Sequence, residues 1–277
     1  MHAATFAVNG PSCMRLDTST VRVPRVQSTA TRRGRLAAPV PEHRRNGSDL
    51  HFLVTADWGG LPVWPWATPG QQKVAASAGR LARARRSAFA LSLGDHFYFH
   101  GVRSVNDPRW RRTFERVFAA RSLQGAGFWR IAAGNHDHKG NMSAQLAYAA
   151  RPRSRWHYPA LQHAWVEVLV PGERSGRDAL ARGGGGRGTA GAGEVHELGP
   201  SAGAEKEVVI AFILIDTVML CGPSSSRLKP LPLATTRRWG GSDRHWAWLE
   251  ATLGQVADAD FIVLGESLGL ERGHGLV

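Results

Sequence analysis

Short apolar runs alternate with longer amphipathic stretches from residue 50 onward. Six runs have the length and apolar content of buried strands: 50–56, 89–93, 128–133, 163–170, 207–216 and 260–265. Three stretches repeat apolar residues at helical spacing: 71–86, 109–120 and 242–257. In the last of these, we expect Ser242 to cap the helix and Trp246, Leu249 and Leu253 to share its apolar face. This alternation predicts an α/β domain.

The first three predicted strands each run into a turn that carries polar side chains. These turns read ADWGG, GDHFY and GNHDH, and they supply Asp57, Asp95, Tyr98, Asn135 and the adjacent His136. Ligands of α/β sheets gather outside the carboxyl ends of the strands, where such loops converge. Oxygen donors of this kind suit hard or borderline metal ions, and Asp95 could bridge two of them. The turns therefore predict a metal site that would clamp a phosphate group.

Each of these residues also has a purely structural interpretation. Tyr98 could pack as an ordinary aromatic, as we expect for Phe97 and Phe99, and the two aspartates could cap the following turns. The repetition of the pattern at three strand ends favours the metal site. The Trp-rich stretch 58–66 predicts a packed loop near the mouth of the pocket rather than a base-stacking platform.

The formal net charge of +13 is unevenly spread along the 277 residues. Residues 1–45 contain eight arginines and only two acidic residues, without apolar periodicity, so we interpret 1–49 as a disordered basic leader. Clustered arginines could bind a polyanion, but this composition is more typical of a solvated tail, which disfavours a nucleic-acid partner. The leader has no recognisable signal peptide, and no apolar run is long enough to span a membrane.

Three further segments fall outside the regular pattern. The Gly-rich stretch at 171–206 predicts a flexible insert, and it lacks the Lys-Ser/Thr pair of a phosphate-binding loop. Residues 266–277 form a tail that does not continue the pattern. The predicted domain is accordingly 50–265.

Taken together, the motifs resemble one known family. The segments DWGG, GDHFYFHGV, NDPRW, TFERVFAARSL, GNHDHKGNMSAQ and IDTVMLCG are similar to the tartrate-resistant (type 5) purple acid phosphatases of the metallophosphoesterase superfamily. The resemblance implies a four-layer αββα sandwich that hydrolyses phosphate monoesters with a dinuclear metal-bound hydroxide at acidic pH.

The resemblance also implies a role for each site residue. Asp57 and Tyr98 would bind Fe(III), Asp95 would bridge the two metals, and Asn135 would bind a second ion, Fe(II) or Zn(II). His136 would orient the phosphate or assist the leaving group. In this family the tyrosine is a phenolate ligand to iron, which gives the purple colour.

Other expectations follow from the same resemblance. They are phosphomonoester or phosphoprotein substrates, an activating protease that cuts the 222–241 loop, lysosomal or secreted localisation, and glycosylation at Asn141. We also expect a monomer.

The chain departs from the family pattern towards its end. The family adds three histidines, but Gly265 is followed by Glu266, and His274 lies at the wrong distance. We therefore expect a domain that is apparently truncated at the C-terminus, with weak or no activity and an unpaired edge on its second sheet. His96 also stands where the family usually has asparagine.

Two other functions stay open from the sequence. Another dinuclear phosphoesterase, such as a phosphodiesterase, would use the same turns but would not need Tyr98. A non-catalytic remnant of the fold could instead bind polyanions through the basic leader.

Overall fold

The computed structural model describes residues 2–6, 38–171, 206–221 and 241–266. The strands are β1 (His2–Phe6), β2 (Glu42–Asn46), β3 (Leu53–Thr55), β4 (Ala90–Leu93), β5 (Trp129–Ala132), β6 (Trp156–His157), β7 (His163–Val170), β8 (Val208–Leu214) and β9 (Phe261–Gly265). The α-helices are α1 (Pro69–Arg85), α2 (Asn135–His138), α3 (Met142–Ala149), α4 (Thr217–Cys221) and α5 (Gly241–Gln255). A π-helix spans Trp110–Glu115, and a 3₁₀ turn spans Arg121–Leu123.

The strands form two sheets. One is a parallel sheet in the order β3-β4-β5-β6, and the other is a mixed sheet in the order β1-β9-β8-β7-β2, in which β7 and β8 are antiparallel. Because β3, β4 and β5 run in the same direction, their carboxyl ends lie at one edge of the parallel sheet. This edge carries all three of the turns that the sequence singles out.

The two sheets pack face to face, with helices on both outer sides. Alternate residues of β4 and β8, such as Leu91 and Phe212, meet in a core between the sheets. The opposite face of the parallel sheet packs against α1, the π-helix and α3, and the opposite face of the mixed sheet packs against α4 and α5. The predicted four-layer αββα arrangement is confirmed.

Each of the three predicted helices differs in detail from the observed one. Helix α1 begins at Pro69, because the side chain of Thr68 accepts a hydrogen bond from Gln71 N at 3.0 Å and caps the helix earlier than the apolar pattern shows. The helix predicted over 109–120 is largely a π-helix, which places Trp110 and Phe114 in the core.

The buried face of α5 differs from the prediction. Leu249 is buried, but Trp246 is 55% exposed and Leu253 is 41% exposed, whereas His245 and Thr252 face the core. The predicted and the observed stripes both contain Leu249, but their other members lie on opposite sides of Leu249 around the helix. The helix also begins at Gly241, so Ser242 lies within its first turn rather than at the cap.

Two strands occur in the segment that we expected to be a disordered leader. Strand β2 pairs in parallel with β7, and β1 pairs in parallel with β9. The charged β2 sequence is stabilised by main-chain pairing and by ion pairs of Arg44 with Glu207 and of Arg45 with the buried Glu167. The composition of the segment does not show that its arginines have acidic partners elsewhere in the chain. Strand β9, the last predicted strand, pairs with β1 on one side and β8 on the other, so the edges of the second sheet are β1 and β2.

Several predictions fall on residues outside the described ranges. These are most of the leader (7–37), the Gly-rich insert (172–205), the predicted protease-sensitive loop (222–240) and the tail (267–277). Across the ranges that are described, no helix is both long enough and apolar enough to cross a membrane.

Candidate metal centre

The three strand-end turns meet at the carboxyl edge of the parallel sheet. Asp57 follows β3, Asp95 follows β4, and Asn135 follows β5. Asp57 N donates a hydrogen bond to Gly94 O at 3.1 Å, which joins the first two turns. Both aspartates have left-handed backbone angles, with φ of 56° and 54°. Aspartate tolerates this conformation better than most residues, which allows such tight turns directly after the strands.

Tyr98 belongs to this site and not to the core. Its hydroxyl donates a hydrogen bond to Asp57 Oδ1 at 2.9 Å, and its N–H donates to Gly59 O at 3.2 Å. The neighbouring Phe97 is fully buried and packs in the core, whereas Phe99 is 54% exposed. The structure therefore separates Tyr98 from the packing aromatics on either side of it.

His136 lies directly beside Asp95. Its N–H donates to Asp95 Oδ1 at 3.1 Å, and its Nε2 is 3.9 Å from Asp95 Oδ2. Its Nδ1 lies 2.8 Å from Phe99 O, and because a carbonyl oxygen only accepts, Nδ1 carries the proton. The ring is thus held with Nε2 towards the carboxylate.

Asn135 is buried, and its side-chain nitrogen has no hydrogen-bond partner within the described ranges. Buried amide groups are normally satisfied by the surrounding protein. An amide that the scaffold does not hold is available to a bound ligand. Asn135 Nδ2 is thus a buried hydrogen-bond donor at the end of β5, next to His136, without a partner among the described residues.

The site has an excess of negative charge. Burial and the charges of Asp95 and Asp57 raise the pKa of Tyr98 well above its usual value. Burial and the charges of Asp137 and Asp57 likewise raise the pKa of Asp95, against the opposing effect of His136. A bound cation would relieve both effects.

Asp137, which the sequence analysis did not single out, holds two of the turns together. This fully buried carboxylate accepts hydrogen bonds from His96 N, Gly134 N and Gln145 Nε2 at 3.0 to 3.3 Å, and His96 Nδ1 lies 2.9 Å away. Burial acts to raise its pKa, but His96 and the hydrogen bonds outweigh burial and lower the pKa to about 2. Asp137 therefore stays ionised.

His96 is a structural residue here. Its fully buried ring packs against Trp156, with ring centroids 4.9 Å apart, and against Trp58 at 5.3 Å. Although it stands where the resemblance leads us to expect asparagine, its ring contacts Asp137 and the core. His96 thus fixes the turn after β4 through packing.

His138 connects the centre to the second sheet. Its Nε2 lies 2.7 Å from Oδ2 of Asp216, which follows β8, and both side chains are buried. Burial acts to lower the pKa of His138, but the charge and hydrogen bond of Asp216 outweigh burial and raise it. Only Asp216 lies shortly after a strand, whereas His138 lies six residues beyond the end of β5, so the sequence carries no signal that joins the two.

The remaining predicted residues lie near the centre or outside it. Asn141 is exposed at the start of α3, where its Oδ1 caps the helix and its Nδ2 donates to Arg103 O at 3.2 Å. Glu266 follows β9, and burial raises its pKa. His274 lies outside the described residues. Across the described ranges, no group of three or more His, Cys, Asp and Glu side chains is arranged to hold a metal ion.

Comparison with curated proteins identifies the relatives of this chain. It is 33% identical over 216 residues to tartrate-resistant acid phosphatase type 5 of Oryctolagus cuniculus, covering 78% of this chain and 55% of that protein. It is 36% identical over 183 residues to the Homo sapiens protein of the same name, covering 66% and 45% of the two chains. The chain is a relative of the tartrate-resistant purple acid phosphatases.

The purple acid phosphatase relationship extends to plants. Purple acid phosphatase 4 of Arabidopsis thaliana is 33% identical over 120 residues, which is 43% of this chain and 32% of that protein. The chain spans about half the length of the type 5 relatives that it matches. No protein-family model matches it.

A solved structure supports the fold. The structure titled "GAP50 the anchor in the inner membrane complex of Plasmodium" superposes with a TM-score of 0.54 at 23% identity, covering 78% of this chain and 54% of that one. This similarity concerns the architecture alone.

The resemblance to the purple acid phosphatases leads us to expect a dinuclear metal centre, and the residues present fit part of one. The carboxylates of Asp57 and Asp95 and the phenol of Tyr98 lie together, Asn135 could add its Oδ1 from the end of the next strand, and both raised pKa values favour a cation. These donors are hard oxygen atoms, which suit a highly charged ion. The described residues supply the side of the centre that contains Tyr98 more fully than the side that contains Asn135.

Proposed function

We propose that this protein is an acid phosphatase that hydrolyses phosphate monoesters at a dinuclear metal centre. The observation that carries the proposal is the hydrogen bond from Tyr98 to Asp57, in a cluster that also includes Asp95. Packing alone does not explain a tyrosine hydroxyl beside two carboxylates. The neighbouring Phe97 fills the core and Phe99 faces solvent, whereas Tyr98 does neither. A phenolate ligand explains it.

The donors suggest how two ions would be shared. Asp57 and Tyr98 would hold Fe(III), because anionic oxygens are the preferred partners of a hard trivalent ion. Asp95 would bridge, and Asn135 would hold Fe(II) or Zn(II). When bound, such a pair supplies Lewis acidity to the phosphoryl oxygens and lowers the pKa of water.

We propose that His136 acts on the substrate. Phe99 O fixes the Nδ1–H, so that Nε2 faces the same space as the Asp95 carboxylate. A proton on Nε2 could be donated in a hydrogen bond to a phosphate oxygen or transferred to the leaving alcohol. His136 would thus bind and orient the ester without being a ligand of the metal.

We expect turnover to be slow with these donors alone. The second ion would have only Asp95 and Asn135 among the described residues, and loosely held metals position reacting groups poorly. Weak binding of the second ion would slow the hydrolysis of phosphate monoesters without changing the type of reaction.

The physiological setting is part of the proposal. An acid phosphatase suits a lysosomal or secreted glycoprotein acting on phosphoproteins, with a glycan at the exposed Asn141 and activation by cleavage within 222–241. The exposure of Asn141 supports the glycan, since the sugar would extend into solvent. A glycosylated Nδ2 keeps one hydrogen, which can still bond to Arg103 O. We also propose that the protein acts as a monomer.

The test is reconstitution with Fe(III) together with Fe(II) or Zn(II). We expect two metal ions per chain, a visible absorption band, and p-nitrophenyl phosphate hydrolysis at acidic pH. Tyr98→Phe should abolish the band, whereas Tyr148→Phe, which removes a hydroxyl bonded to Glu115, should retain it. Preference for bis(p-nitrophenyl) phosphate would identify a phosphodiesterase instead, and a colourless protein without bound metal would refute the proposal.

A further inference from the structure

A second cleft lies beside the π-helix, apart from the candidate metal centre. Its volume is about 640 Å³, and it is bounded by residues 64–67, by α1 and by the π-helix with the residues that follow it. None of Asp57, Asp95, Tyr98, Asn135 and His136 lines it, and among the described residues no acidic side chain does so. Its size is that of a small-molecule site.

The loop that forms one wall is held in a fixed conformation. Leu61 N donates to Trp66 O at 3.0 Å, Trp66 N donates to Val63 O at 2.7 Å, and Thr113 Oγ1 donates to Trp66 O at 3.1 Å. Despite these bonds, Trp64 is 82% exposed and Val63 is 63% exposed. The packed loop that the sequence predicts therefore presents a large aromatic ring to solvent.

Two arginines face the same cleft. The guanidinium carbon of Arg112 lies 4.7 Å from the centre of the Trp66 ring, which orients the charge through a cation–π contact. Arg116 follows four residues later. Among the described residues, no carboxylate pairs with Arg112 or Arg116. The cleft thus combines an exposed ring with two uncompensated positive charges.

We propose that this cleft binds a small organic anion that carries a planar aromatic ring. The ring would stack on Trp64, and the acidic group would pair with Arg112 and Arg116. Each half of the ligand matches one half of the cleft, since aromatic faces stack and guanidinium groups bind oxyanions. The volume accommodates a ligand of up to about the size of a mononucleotide.

The test compares three probes by calorimetry on the full chain. Naphthalene-2-sulfonate has both the ring and the charge, cyclohexanesulfonate lacks the aromatic ring, and naphthalene-2-sulfonamide lacks the charge. We expect the first to bind at least about tenfold more tightly than either of the others, the factor that stacking of one ring typically contributes. Treatment with EDTA should not change the result, because no metal-centre residue lines the cleft.

Variants then assign the binding to this cleft. Trp64→Ala should remove the preference for naphthalene over cyclohexane, and Arg112→Gln with Arg116→Gln should remove the preference for sulfonate over sulfonamide. Trp246→Ala, which removes another exposed tryptophan, is the matched control and should bind like the unaltered protein. Circular dichroism and thermal melting verify that each variant is folded. If the double variant does not fold, Arg116→Gln alone tests the contribution of charge.

Three results would overturn the proposal. They are an absence of naphthalene-2-sulfonate binding to the unaltered protein, an equal loss of affinity in Trp246→Ala, and loss of binding after EDTA treatment. The last result would assign the anion to the metal centre. None of these readouts requires phosphatase activity, so the cleft and the proposed function can fail independently.

Discussion

His138 and Asp216 form a buried pair that joins the carboxyl ends of the two sheets. The two side chains are 2.7 Å apart and 78 positions apart in the sequence. His138 follows β5 in the parallel sheet, two residues beyond His136, whereas Asp216 follows β8 in the mixed sheet. The pair therefore fixes the position of α2, and with it Asn135 and His136, relative to the second layer.

Breaking this pair should destabilise the protein strongly. Asp216→Asn leaves the histidine without its charge partner, and loss of one partner from a buried pair typically costs about 3 to 5 kcal/mol. The free energy of unfolding, measured in urea, should fall by that order of magnitude. Lys206→Gln, which removes an exposed partner of Asp260, should change it little. Equal losses in the free energy of unfolding for the two substitutions would show that the buried pair contributes no more to stability than an exposed ion pair.

Asp137 should be required for the geometry of the metal centre. Asp137→Asn keeps the size of the side chain but loses the charge that His96 Nδ1 and two backbone N–H groups contact. We expect a loss of stability of about 3 kcal/mol and a lower metal content after reconstitution. Retention of full metal content at normal stability would mean that the turns after β4 and β5 hold their positions without this carboxylate.

Asp95 should affect stability in opposite directions without and with metal. Burial and the charges of Asp137 and Asp57 disfavour its ionised form, so Asp95→Asn should raise the melting temperature of the metal-free protein. Added metal should stabilise the unaltered protein by about 3 kcal/mol when its concentration is about 100 times Kd. The same addition should have little effect on Asp95→Asn.

Asp107 provides the matched control for this experiment. Burial acts to raise its pKa, but hydrogen bonds from Arg109 N and Arg103 outweigh it and lower the pKa. Asp107→Asn should therefore lower the melting temperature of the metal-free protein while preserving the shift on metal addition. A metal shift that persists in Asp95→Asn would remove this residue from the proposed ligands.

Acidification should weaken the fold through a buried histidine. Burial, followed by the nearby His157 and Arg130, lowers the pKa of His163 from 6.5 to about 3. Its neutral form is favoured by folding, so the stabilisation is present above the unfolded pKa and is lost as the pH falls towards the folded value. At about pH 5 the loss from this group is about 2 kcal/mol.

A substitution by a ring that does not titrate checks this pH dependence. The His163 ring stacks near Trp165, with centroids 5.8 Å apart, so His163→Phe retains much of the packing. Urea unfolding at neutral and acidic pH should show a shallower decline of stability for this variant. Parallel pH profiles for the two proteins would contradict the assignment to His163.

The strand-end residues could be predicted because their signals are local. Asp57, Asp95 and Asn135 each lie within two residues of the end of an apolar run, and parallel strands bring such positions together whatever the rest of the fold does. Asp137 and the His138–Asp216 pair could not be predicted in this way. Their roles depend on hydrogen bonds between different turns and on how the two sheets stack, and neither has a periodic signature in the sequence.

The helices and the leader show the same limit. The apolar pattern of α5 is shared by two adjacent stripes, and packing against the mixed sheet selects the one that includes His245. The charges of β2 predict disorder unless the partners of its arginines are known, and these lie more than 120 residues away. Contacts that are distant in sequence decide both cases.

The pairing of β1 and β2 with the mixed sheet bears on how the protein tolerates shortening. Removal of residues 1–49 as a dispensable basic extension would strip the strands that flank β9 and β7 and expose their main-chain N–H and C=O groups. Exposed strand edges of this kind tend to pair with the strand edges of other molecules. The shortened protein should therefore self-associate, and the N-terminal segment, for all its charge, would act as a guard against aggregation.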